Sequence, residues 1–149
     1  MDININVRFE DASEEVNHFL KQEWISANLA QFGRDISEEM NKPVTITAYD
    51  ESSPPQLVGV GLCLIVGNTL RLTHLLIKDG FRQKKGIGSK IVRRIEELAR
   101  EHKWHKIRLS TSDKHQNISF YLKQNYVIEA ELMDDAFHST WYILSKFIK

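Results

Sequence analysis

The residues best suited to chemistry lie in "GFRQKKGIGSK", Gly80 to Lys90, where two glycines and several bases run straight into a helical pattern. Glycines let a backbone take unusual φ values and come close to a ligand. The first turn of the following helix has unpaired N–H groups and a partial positive charge, which suit a phosphate or diphosphate. The surroundings are basic as well. Residues 82–106 carry Arg82, Lys84, Lys85, Lys90, Arg93, Arg94, Arg100, Lys103 and Lys106 against only Glu96, Glu97 and Glu101. An anionic ligand is the chemistry this stretch implies.

Two familiar phosphate motifs fail on spacing. A Walker loop requires Gly, four residues, then Gly-Lys-Ser/Thr, but the fifth residue after Gly80 is Lys85. A dinucleotide fingerprint requires a third glycine three residues after the second, and position 91 is Ile91. The spacing that remains is Gln83-x-x-Gly86-x-Gly88 at the start of a helix.

A second constellation follows in "NISFYLKQNY", Asn117 to Tyr126. An aromatic pair, Phe120-Tyr121, sits on a short helical pattern that ends at Asn125, a residue type that tolerates the left-handed conformation closing a helix. A tyrosine hydroxyl can donate a proton or a hydrogen bond to developing negative charge. On the strand preceding the glycine loop stands a histidine, His74.

Together "QKKGIG" and "FYLKQNY" resemble the signature of the GNAT superfamily of N-acetyltransferases: a strand, Gln/Arg-x-x-Gly-x-Gly/Ala opening a helix, then downstream an aromatic-Tyr pair and Lys-x-Gly-Phe/Tyr. Gln116 and the acidic loop at Asp134 and Asp135 are similar to features of a subgroup of small bacterial members. Asn125 replaces the usual glycine, and the loop between Ile77 and the glycine motif is one residue longer than usual.

The resemblance implies an acetyl-CoA-dependent transfer of an acetyl group to a primary amine, of a small molecule or a peptide, by direct transfer in a ternary complex. A related possibility is a module that binds acyl-CoA to sense or regulate without transferring. Carried over, the coenzyme A contacts are backbone at Leu76, Ile77 and Lys78, and Arg82, Gln83, Lys84, Lys85, Gly86, Ile87, Gly88 and Ser89 around the diphosphate. Asn117, Phe120 and Tyr121 would lie beside the pantetheine and thioester. Tyr121 would be the general acid and His74 a candidate base. Glu23, Asp134 and Asp135 would attract a cationic acceptor. The implied fold is mixed α/β (α+β), a three-layer sandwich whose six- to seven-stranded mixed sheet is splayed at its centre, with helices on both faces.

The elements needed to place these groups can be read along the chain. Ile3, Ile5, Val7 and Phe9 alternate with polar residues, predicting a strand. Asp11 and Glu14 suggest a capping box, and Val16, Phe19, Leu20, Trp24 and Ala27 then follow at helical spacing up to Gly33. A short second helix is expected over 35–40. Strands are expected over 43–49, 57–66 and 69–77, the last two joined by a Gly67-Asn68 hairpin. A helix to about Lys103 follows, then a strand over 105–110, a helix over 117–124 and strands over 126–132 and 140–147. Gly59 and Gly61 in the central apolar strand leave room for something to approach closely.

Bulk properties agree. The chain's 149 residues suit one domain, 1–149. Lys plus Arg equal Asp plus Glu, at 20 each, so no general nucleic-acid partner is implied. The single cysteine, Cys63, lies in an apolar run and is expected to be a buried inert thiol. No signal peptide, membrane span or metal site is readable, so the expectation is a cytoplasmic monomer or homodimer.

Overall fold

A computed structural model describes residues 2–82, 86–112 and 117–149. They form two compact units, Met1–Glu38 and Glu39–Lys149.

In the first unit, helix α1 (Glu14–Phe32) is capped by Ser13, whose side chain accepts from the Val16 N–H at 3.3 Å. The cap is thus Ser13 and not Asp11, although both are good capping residues. Gly33 closes the helix with φ +72° and donates its N–H to the Leu29 carbonyl. A short 3-10 turn at Ser37–Glu39 replaces the expected second helix. Residues 3–9 form no strand, and Ile3, Ile5, Val7 and Phe9 are exposed. Alternation supports a strand only where an edge is present to pair with, and among the described residues these have none.

The second unit is built on one mixed sheet of six strands in the order β1-β2-β3-β4-β6-β5. The strands are β1 (Lys42–Tyr49), β2 (Leu57–Val66), β3 (Thr69–Ile77), β4 (Lys106–Ser112), β5 (Val127–Leu132) and β6 (Trp141–Phe147). Only β3 and β4 pair in parallel; the other neighbours are antiparallel. That single parallel contact requires a crossover, which helix α2 (Ile87–Glu101) provides. Helix α3 (Asn117–Leu122) follows β4. Asn125 has φ +66°, as its place at a helix stop predicted.

Helix α2 buries Ile87, Ile91, Val92, Ile95 and Ala99. The expected close approach at β2 is this helix. A Cβ on Gly61 would stand 2.9 Å from Ile91 Cγ2, and one on Gly59 would stand 3.0 Å from Ile87 Cγ2. Ile91 is itself only 3% exposed and has little room to yield. Gly61→Ala should therefore destabilise the protein by about 1–3 kcal/mol through overpacking, read as a lower urea midpoint with an unchanged slope. An unshifted midpoint would mean that α2 does not press on β2 at this point.

Candidate active site

The site begins with a fault in the β2–β3 ladder. Leu62 pairs with His74 and Cys63 pairs with Leu72, so Thr73 is an extra residue on β3. Such a bulge bends its strand and re-aims the side chains beside it. The next ladder is affected at the same point. The parallel β3–β4 pairing covers Thr69↔Lys106 through Leu72↔Leu109 and goes no further, although β3 continues to Ile77 and β4 to Ser112. The two strands therefore part at the bulge, giving the splayed sheet that the resemblance implied.

A cavity of about 170 Å³ opens in this gap, lined by Leu72–Leu75 of β3, Leu109–Thr111 of β4, and Asn117, Phe120 and Tyr121 of α3. It thus collects His74, Asn117, Phe120 and Tyr121 from the predicted residues. Thr73, Ser110 and Thr111 were not anticipated. The signal for Thr73 is in the sequence: Leu70 and Leu72 keep an even phase, Thr73-His74 interrupts it, and Leu75 and Ile77 resume on odd positions.

Tyr121 is positioned by the way α3 ends. Its carbonyl accepts from the N–H groups of Gln124 and Tyr126, after which Asn125 turns the chain into β5. Its ring meets Phe120 edge-on at 4.9 Å between centroids and Tyr126 at 5.6 Å. Burial, with a smaller contribution from Cys63, pushes its phenol up to about 12. The group therefore stays protonated at any working pH and remains able to donate. Cys63 is 3% exposed and its thiol is pushed up by burial to about 12. It is the inert core thiol that its apolar surroundings predicted.

His74 is exposed, and its Nδ1 lies 3.2 Å from Thr73 Oγ1. That hydroxyl in turn donates to the Leu62 carbonyl at 3.0 Å.

At the far end of β3, the Lys78 N–H donates to the Val58 carbonyl. Antiparallel alternation then turns the backbone groups of Leu76 toward β2 and those of Ile77 and Leu75 toward the gap. Arg82 Nε donates to the Ile77 carbonyl at 2.9 Å. The loop passes to α2 through Gly86, which has φ +62° and open space where a Cβ would be. Among the described residues no side chain caps the helix, and its first turn carries no acidic residue. The N–H groups of Ile87, Gly88 and Ser89 precede the first helical bond, which Lys90 makes to the Gly86 carbonyl. Gly88 also admits the Phe120 ring, which would be 3.3 Å from its Cβ. Gln83, Lys84, Lys85 and Gln116 lie outside the described residues.

The acidic residues assigned to the acceptor are divided between the two units. Glu23 is exposed on α1, in the other unit. Asp134 and Asp135 lie in the loop between β5 and β6, where Asp134 is 3.0 Å from His138 Nδ1. Among the described residues no cluster of metal-ligating side chains is present, and no helix is long and apolar enough to cross a membrane.

Comparison with known proteins identifies the family and the fold. The family model for the acetyltransferase (GNAT) family matches residues 9–126. An acetyltransferase from Bacillus cereus ATCC 14579 superposes with a TM-score of 0.71 at 18% identity, covering 95% of this chain and 98% of that one. A Bacillus subtilis acetyltransferase in complex with CoA gives 0.61 at 18% identity, with 94% and 95% covered. The PaiA N-acetyltransferase from Thermoplasma acidophilum, in complex with coenzyme A, gives 0.59 at 20% identity, with 91% and 80% covered. No curated protein matches the sequence. These likenesses bear on the fold; the family itself follows from the model match, which spans most of the chain together with the glycine loop and Tyr121, and on that ground the chain belongs to the acetyltransferase (GNAT) family.

Proposed function

We propose that this acetyl-CoA-dependent acyltransferase is an N-acetyltransferase that moves the acetyl group directly to a primary amine in a ternary complex. The observation that carries the reading is the cavity at the β3–β4 gap, where Tyr121 and His74 line the same space. The match to the family runs across both compact units, which supports the whole chain, 1–149, acting as one domain.

The residues present fit coenzyme A. The α2 N-terminus, uncapped among the described residues, its open glycine and the lack of an acidic first turn suit a diphosphate. The gap-facing backbone of Ile77 and Leu75 suits a pantetheine amide, and Asn117 offers a side-chain amide beside it. Leu76 and Lys78 would flank that contact, with Arg82, Gly86, Ile87, Gly88 and Ser89 around the phosphates. When bound, acetyl-CoA supplies an activated acetyl carbon and a sulfur leaving group.

The chain's own groups would manage the protons. An alkylamine with a pKa near 10.4 is only about one part in 2,500 neutral at pH 7, a cost of roughly 4.6 kcal/mol. His74 takes one proton from the ammonium, leaving the nitrogen lone pair free to attack. Tyr121 would hold its phenolic proton ready for the sulfur leaving group and would regain one from the acceptor nitrogen. His74 then releases its proton to water, so each transfer yields one amide, one free thiol and one proton. Asp134 and Asp135 would add attraction for a cationic acceptor, and Glu23 could do the same from α1.

Saturating acetyl-CoA should raise the melting temperature. At a hundred times Kd, linkage contributes about 2.7 kcal/mol of stability, and a panel of small amines and peptides should release free thiol from the donor. Absence of a melting shift would overturn the reading of the glycine loop. A shift without thiol release from any acceptor would favour a binding module.

A further inference from the structure

We propose that Thr73 is a positioning residue that fixes the tautomer of His74, leaving Nε2 as the basic nitrogen; the inference rests on His74 serving the transfer reaction. A threonine hydroxyl has one proton and two acceptor lone pairs. Here the proton is committed to the Leu62 carbonyl at 3.0 Å. Toward Nδ1 of His74, 3.2 Å away, the same oxygen can then only accept. Nδ1 must carry the hydrogen, and in a neutral imidazole the second nitrogen is then bare. Among the described residues Nε2 has no hydrogen-bond partner, and His74 is exposed where it lines the cavity.

The arrangement depends on the bulge. Because Thr73 is the extra residue between the pairs Leu62↔His74 and Cys63↔Leu72, it can reach the Leu62 carbonyl while adjoining the histidine. In a regular strand neighbouring side chains point to opposite faces, and a hydroxyl would not be shared in this way. The chain Leu62 C=O, Thr73 Oγ1–H, His74 Nδ1–H is equally satisfied when His74 is protonated, since Nδ1 is a donor in both states. Accepting a proton at Nε2 therefore requires no rearrangement of the ring or its support. An unrestrained histidine side chain favours the opposite tautomer, with the hydrogen on Nε2, so without Thr73 the ring would present a donor to the acceptor amine.

The test is the imidazole 15N spectrum of the full-length protein, recorded above the titration of His74 and assigned with His74→Gln. Wild type should show a pyrrole-type Nδ1 and a pyridine-type Nε2. Thr73→Val, close in shape but without the hydroxyl, should move both signals toward the opposite tautomer, and Thr73→Ser should restore the wild-type pattern. A wild-type ring protonated on Nε2, or a Thr73→Val spectrum identical to wild type, would overturn the proposal. This measurement uses neither donor nor acceptor, so it can fail while acetyl-CoA still shifts the melting temperature, and the converse is equally possible.

Discussion

Tyr121→Phe should lower kcat by about 10²-fold or more, the usual worth of a positioned general acid, while leaving acetyl-CoA affinity little changed. The substitution removes one oxygen from a ring already held by Phe120 and Tyr126, so packing should survive. Stopped thiol release at saturating donor, paired with a melting shift for acetyl-CoA, separates chemistry from binding. Loss of both together would mean a structural role for the hydroxyl. A second consequence follows from the raised phenol. Its ordinary pKa is about 10, whereas in the folded protein it is pushed up to about 12. The unfolded chain therefore gives up this proton first as pH rises. The stability linked to Tyr121 is complete below about pH 10 and declines as pH rises through about 12. Tyr126 is buried beside it and shifted in the same direction, so the two contribute together. Tyr121→Phe should flatten the alkaline fall in stability without abolishing it.

Much of this site was legible because its motifs are local. Gly86-x-Gly88 and Phe120-Tyr121 lie on helices whose starts and stops are encoded within a few residues, and Asn125 has the left-handed conformation its position demanded. The boundaries of β2 and β3 agree with the apolar run and the Gly67-Asn68 hairpin. What was not legible depends on partners distant in sequence. Ile3 to Phe9 alternates like a strand but pairs with nothing among the described residues. The commitment of the Lys78 N–H to Val58 required the β2–β3 register, which composition does not supply. The phase slip at Thr73-His74 was on the page, yet its meaning depends on the Leu62 carbonyl eleven residues away in the chain.

One structural dependence outside the sheet ladders falls on Lys146. Glu96 lies on the buried side of α2, 8% exposed among isoleucines, an expensive place for a carboxylate. Lys146 of β6 reaches it at 2.9 Å and also donates to the Gln124 carbonyl at 3.0 Å, just past α3. One ammonium thus joins α2, the end of α3 and β6, with the Tyr126 ring 5.6 Å away. Removing one partner of a buried pair typically costs 3–5 kcal/mol because the other charge is left uncompensated. Lys146 keeps some contact with solvent, its side chain being 21% exposed, so Lys146→Met should fall at the lower end, about 3 kcal/mol. In a chain of this size that is a fall in melting temperature of roughly 10 °C. The double variant Glu96→Leu with Lys146→Met identifies the cause. It removes the stranded carboxylate and fills both positions with apolar groups of similar size, so it should recover most of the loss. If the double variant is as unstable as Lys146→Met alone, the penalty comes from the lost bond to Gln124 and from repacking around Tyr126. Recovery would show instead that α2 is held to the sheet by its isoleucines, while the ion pair serves to keep Glu96 neutralised in the core.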